Sequence, residues 1–160
     1  MLIQLQKKMI HAGGDIIIPF GLSLIKLSII KDGLLLYSEV GTLVGQILFG
    51  NDEATITVAD SGSYRISGFG GKFTIANQSE GKVMPKYETF GNVPNYNYTL
   101  FEYRPGNVKP TEAARITAMP LNEEEYKVVL NEDCNIFRTF LLVAAISYLV
   151  EGKGGKKLRK

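Results

Sequence analysis

The sequence predicts a β-rich α+β fold: an antiparallel β-barrel of roughly 10–12 strands around a buried C-terminal apolar helix over 135–150. Two observations carry that expectation. The segment 135–150, NIFRTFLLVAAISYLV, presents no polar face from Phe140 to Ile146, and a helix apolar all round has to be buried all round. The residues before it break into short alternating runs, separated by Gly, Pro, Asn and Asp at roughly 8–12-residue spacing, the rhythm of a barrel or sandwich.

Ten strands follow from the pattern, the first at Leu24. Residues 24–30 set Ile25, Leu27 and Ile29 against Lys26 and Ser28, a period of two. Asp32-Gly33 marks a hairpin into 34–37, and 43–49 comes next, with Gly41 and Gly45 at turn or bulge positions. Residues 54–59 alternate Thr55 and Thr57 with Ile56 and Val58, then meet the turn sequence DSGS at 60–63. Strands 64–67 and 72–76 flank a glycine-rich stretch, and 83–90 is pushed toward a sheet edge by Pro85. The aromatic strand 96–103 puts Tyr96 and Tyr98 on one face and Phe101 and Tyr103 on the other. Strands 113–118 and 126–130, divided by the acidic loop 122–125, complete the series.

Asp133 and Asn135 are both suited to cap the helix, Glu132 and Asp133 complement its positive end, and Gly152 suits its stop. At 1.5 Å per residue 135–150 spans about 24 Å, short of a ~30 Å hydrocarbon layer. Arg138, Thr139 and Ser147 shorten the apolar part further, so burial within the protein is expected and a transmembrane span is not.

The chain of 160 residues, 45% hydrophobic and 21% charged, has the size of one domain, expected over 1–152. One cysteine, Cys134, excludes an internal disulfide and fits a reducing compartment. Lys7 and Lys8 follow the apolar residues of the N-terminus instead of preceding them, which is not a signal-peptide pattern, and a cytoplasmic protein is expected. The net charge of +2 conceals an asymmetry. Residues 153–160, KGGKKLRK, hold five of the 18 basic residues, which leaves 13 basic against 16 acidic residues in 1–152. The body is mildly acidic and 153–160 reads as a flexible basic tail.

No residue is assigned a catalytic, cofactor-binding or metal-binding role. His11 and Cys134 would need each other and an orienting group to act as base and nucleophile, and no local signature joins them. The glycine-rich 68–71 lacks the lysine and hydroxyl pattern of a phosphate loop, and Gly41 and Gly45 lie outside any apolar helix. The run Glu123, Glu124 and Glu125 lacks the spacing of a calcium loop and reads as solvated. The aromatics of 96–103 fit sheet packing better than base stacking, so nucleic acid is not an expected partner.

The last third carries a family resemblance in Ala113-Ala114-Arg115-Ile116, Glu125-Tyr126-Lys127-Val128, Asn131-Glu132-Asp133 and the apolar 141–150. Its order resembles the ending of the tubby C-terminal-like superfamily, where two short strands lead through an acidic turn into a buried helix. That superfamily includes tubby-like proteins, LURP-one-related proteins, phospholipid scramblases and small bacterial members. The segments GSYRI, GKFTI and MPKYETF at 62–66, 71–75 and 84–90 look like its short aromatic strands. The resemblance implies a β-barrel around a central helix and contact with anionic phospholipid. No lipid-site motif of the eukaryotic members maps onto this chain, and the cysteine- and proline-rich stretches of scramblases are missing.

The expectation is therefore a non-catalytic, cofactor-free binding module that meets anionic phospholipid or a protein partner at a membrane surface. Lys153, Lys156, Lys157, Arg159 and Lys160 would make the anionic-lipid contact. The alternatives are a structural or adaptor protein without lipid affinity, and a small enzyme using Cys134 and His11.

Overall fold

Alternation of apolar and polar side chains makes most of this chain strand, as a computed structural model shows. It describes residues 1–59, 61–69, 72–79 and 83–159, with only the backbone described at Phe69 and 153–159. In chain order come β1 (Leu2–Gln6), the one-turn α1 (Met9–Ala12), β2 (Gly14–Phe20), β3 (Ser23–Ile30) and β4 (Gly33–Tyr37). Next are β5 (Leu43–Gly50), β6 (Glu53–Val58), β7 (Gly62–Phe69) and β8 (Lys72–Asn77). Then follow β9 (Lys86–Asn92), β10 (Asn97–Tyr103), β11 (Thr111–Ala118), β12 (Glu125–Leu130) and α2 (Ile136–Arg159).

All ten expected strands are present within a few residues, although Ile29, grouped with Ile25 and Leu27, is only half-buried and the strand expected from Tyr96 begins at Asn97. Ile25 and Leu27, Ile56 and Val58, and Tyr96 and Tyr98 are buried. The strand expected at 83–90 begins only at Lys86, after Pro85. Asp32 adopts a left-handed φ of 56° in the β3–β4 turn, as a short hairpin requires. Three elements lie before the first expected strand. In β1, Ile3 and Leu5 point inward and Gln4 and Gln6 outward, a short alternation. In β2 three consecutive isoleucines and Pro19 hide the alternation. Pro19 is tolerated because β2 is an edge strand, paired with β3 alone.

The strands form two antiparallel sheets. One has five strands in the order β1-β12-β11-β10-β9, and the other has seven in plain sequence order, β2 to β8. Among the described residues no ladder joins β1 to β2 or β8 to β9, although β8 and β9 lie side by side. The architecture is thus two sheets clasping a helix. Among the described residues no backbone pairing closes the expected barrel: Pro19 and the α1 connection lie at one seam, and Pro85 precedes β9 at the other.

Helix α2 lies between the sheets. Seven consecutive residues, Phe140 to Ile146, have no solvent exposure. Asn135 caps its start, its side-chain oxygen accepting from the Arg138 amide at 3.0 Å. The helix does not stop at Gly152. Gly152 is not among the glycines with positive φ, so the chain makes no left-handed cap there and the helical backbone runs on to Arg159. No helix among the described residues is long and apolar enough to cross a membrane.

Gly45 sets how closely helix and sheet approach. A Cβ there would lie 2.5 Å from Leu141 Cδ1 and 3.2 Å from the Thr57 carbonyl oxygen. We expect Gly45→Ala to destabilise the fold by about 1–3 kcal/mol, and Leu141→Ala by about 2–5 kcal/mol. In urea unfolding, the double variant should lose clearly less than the two single losses combined, because each change relieves the other. Strict additivity would show that the two residues do not meet.

Candidate functional site

Helix α2 defines two poles. The β6–β7 turn meets its start, where Asn135 Nδ2 donates to Ser61 Oγ at 3.1 Å. Phe49 and His11 meet its later part at Tyr148. Polar groups collect at both ends of an otherwise apolar interior.

At the first pole a buried chain links β9, β10 and α2. Tyr87 Oη donates to Glu102 Oε2 at 2.7 Å, and Arg138 Nη1 donates to Tyr87 Oη at 3.3 Å. Arg138 also donates to the Ser61 carbonyl at 3.1 Å and lies 5.6 Å from the centre of the Tyr64 ring, within cation–π range. Arg104 Nε donates to the other Glu102 oxygen, and its Nη2 donates to the Asp133 carbonyl at 2.8 Å. Arg138 and Glu102 are more than nine-tenths buried, and Arg138 Nε finds no partner among the described residues. Both Glu102 oxygens and both Arg138 Nη atoms are bonded, so the work of this cluster is structural: it ties the five-stranded sheet to the helix start.

Cys134 sits beside this cluster. Its thiol lies 3.4 Å from Arg104 Nη2, yet burial pushes its pKa up, with the arginine opposing only part of that shift. His11 is at the opposite pole, stacked on Tyr148 with ring centres 4.3 Å apart. About 20 Å of helix axis separates the two. The structure does not bring Cys134 and His11 together. Among the described residues no three His, Cys, Asp or Glu side chains gather to hold a metal ion, and Glu123, Glu124 and Glu125 lie in or beside the β11–β12 turn.

The second pole carries charge of both signs, the Lys7 amide donating to the Glu124 carbonyl at 2.8 Å. The β1–β2 connection folds back on α2. Lys7 Nζ sits 4.7 Å from the centre of the Tyr96 ring, and Tyr96 Oη donates to Glu151 at 2.8 Å and bonds Ser147 at 3.0 Å. His11 lies between Tyr148 and Gly152, and Tyr148 stacks in turn on Phe49. Tyr96 itself holds a left-handed φ of 55°, strained for an aromatic residue, and its buried ring and two hydroxyl bonds fix it there. Lys8, next in sequence to Lys7, is exposed. The basic sequence 153–160 continues from this pole, although Lys160 and the side chains of Lys153, Lys156, Lys157 and Arg159 lie outside the described residues. Lys7 and Lys8 were not foreseen as part of a basic site. The only signal was their adjacency in sequence, which says nothing of where the connection folds.

With this geometry in place, comparison with known proteins adds no relative: the chain matches no protein-family model, no curated protein and no solved structure.

The buried tyrosines make alkaline pH a probe of the core. Desolvation raises Tyr64 from 10.0 to about 12, and raises Tyr87, Tyr96, Tyr98 and Tyr126 in the same direction. The unfolded chain ionises first, so stability is intact below pH 10 and falls as pH rises toward about 12. Tyrosinate absorbance should therefore appear together with loss of near-ultraviolet circular dichroism. Tyr87→Phe should cost about 1–3 kcal/mol in urea unfolding, since it leaves Glu102 and Arg138 short of a partner. Tyr103→Phe, at the surface, should cost almost nothing.

Proposed function

We propose that the protein is a non-catalytic binding module that docks on anionic phospholipid through the pole at which α2 ends. The observation that carries this reading is the fold-back of the β1–β2 connection, which sets Lys7 against Tyr96 near the helix end, with exposed Lys8 next in sequence, just before the five basic residues of 153–160. Basic groups near an anionic leaflet are worth ~1 kcal/mol each, so seven at one pole give a salt-sensitive attachment without a deep pocket. In this reading Lys153, Lys156, Lys157, Arg159 and Lys160 make the lipid contact with Lys7 and Lys8, and the protein is cytoplasmic and peripheral to the membrane. The two sheets act as an open barrel of the tubby-like kind, with the helix as its filled core. The filled interior supports a surface contact over an enclosed ligand, since Phe140 to Ile146 leave no room within.

A second reading, a structural or adaptor protein without lipid affinity, is favoured by one separate observation: large apolar side chains stand exposed on the outer face of the seven-stranded sheet. An enzyme using Cys134 and His11 has no support in a geometry that holds them about 20 Å apart.

Flotation with liposomes separates these readings. The full chain should float with anionic vesicles at low salt, remain behind at high salt, and ignore neutral vesicles. Lys8→Glu should weaken the binding by about fivefold or more, from the ~1 kcal/mol per charge, and removal of 153–160 should abolish it. Equal flotation with neutral vesicles, or none with either, rules out this docking mode.

A further inference from the structure

The outer face of the seven-stranded sheet is chemically split. Across β6, β7 and β8 it carries Thr55, Thr57, Arg65 and Thr74. Across β2 to β5 it carries exposed Ile17, Leu24, Leu43 and Leu48. The registers align Ile17, Lys26, Tyr37 and Leu43 in one row across four strands. The β2–β3 and β4–β5 hairpins turn at the same end of the sheet, and their tips hold Leu22 and Val40, 108% and 87% exposed. Beside them an open depression of about 580 Å³ is lined by Ile17, Leu24, Lys26, Tyr37, Glu39 and Gly41.

The exposed Ile17, Leu22, Leu24, Val40 and Leu43 gather at this end of the sheet, with the polar Asp15, Ser28 and Gln46 in the next row, and such an apolar cluster marks an interaction surface. Its charges indicate what covers it. The depression holds one cation and one anion, Lys26 and Glu39, with Lys26 drawn over the Tyr37 ring at 4.9 Å from its centre. An anionic bilayer would meet Glu39 unfavourably, and a uniformly charged partner would meet one of the two. A second copy of this surface satisfies both, because a two-fold axis turns each Lys26 toward the other copy's Glu39. The shape is self-complementary in the same sense, since protruding tips lie next to a depression. Edge-to-edge pairing through β2 is blocked by Pro19, which has no N–H to donate.

We propose that this face is a self-association surface. Two chains pack face to face about a two-fold axis, the Leu22 and Val40 tips of each seated against the Ile17, Leu24 and Tyr37 surface of the other. Lys26 of each chain pairs with Glu39 of the other. This pairing is independent of the lipid contact, which uses the pole where α2 ends.

Analytical ultracentrifugation of the full chain over a concentration series tests it. The sedimenting mass should rise from 17.7 kDa at high dilution to twice that value. Leu22→Ser, at a fully exposed position that leaves the fold intact by circular dichroism, should weaken the dimer by about tenfold or more. Lys26→Glu and Glu39→Lys should each weaken it by a similar factor, and the double exchange should restore it to within about threefold of the wild type. A mass of 17.7 kDa at every concentration overturns the proposal. So does a dimer insensitive to Leu22→Ser, or one that the double exchange fails to rescue.

Discussion

Everything in this fold answers to one constraint: a helix in which seven consecutive residues, Phe140 to Ile146, tolerate no water on any side. Each large apolar side chain in that run contributes about 1.5–3 kcal/mol on burial, but only if the whole circumference is covered. One sheet covers one flank of a helix. Two sheets are therefore needed, and the chain supplies them as a seven-stranded meander and a five-stranded sheet. Close approach requires that some wall positions carry no side chain, which is the place Gly45 occupies against Leu141.

An apolar helix in an apolar sleeve has no intrinsic register, and sliding or rotating it would cost little by hydrophobic area alone. Polar contacts at the two ends provide that register. Asn135 and Arg138 bond the β6–β7 turn at the start, while Ser147 and Glu151 bond Tyr96 near the other end. Buried charge is expensive unless its hydrogen bonds are met. The Arg138, Tyr87 and Glu102 chain is thus stable only when helix, β9 and β10 are all in place. It acts as a lock on alignment more than as a source of net stability.

The same sleeve shapes where function can lie. With the interior filled, recognition has to take place on the outside, and the outside is uneven. Charge gathers where the β1–β2 connection crosses the end of the helix, and apolar side chains gather on the outer strands β2 to β5. In the readings proposed above, lipid would meet the first surface and a second chain the other.

Much of this was legible in the sequence because it depends on local periodicity. Alternation in 24–30 and 54–59 separates the two faces of β3 and β6 directly, and the unbroken apolar run assigns a buried helix. Helix burial and strand faces are properties of a short window, so the sequence by itself determined them. It did not reveal β2, where Ile16, Ile17 and Ile18 carry no alternation and Pro19 reads as a breaker until the strand is known to be an edge. Nor did it decide that the sheets remain two, that Lys7 folds back onto Tyr96, or that Cys134 and His11 stay apart. Each of these depends on contacts between residues tens of positions apart. Only the packing of both sheets around α2 selects them, because that packing sets which chain segments meet at each end of the helix.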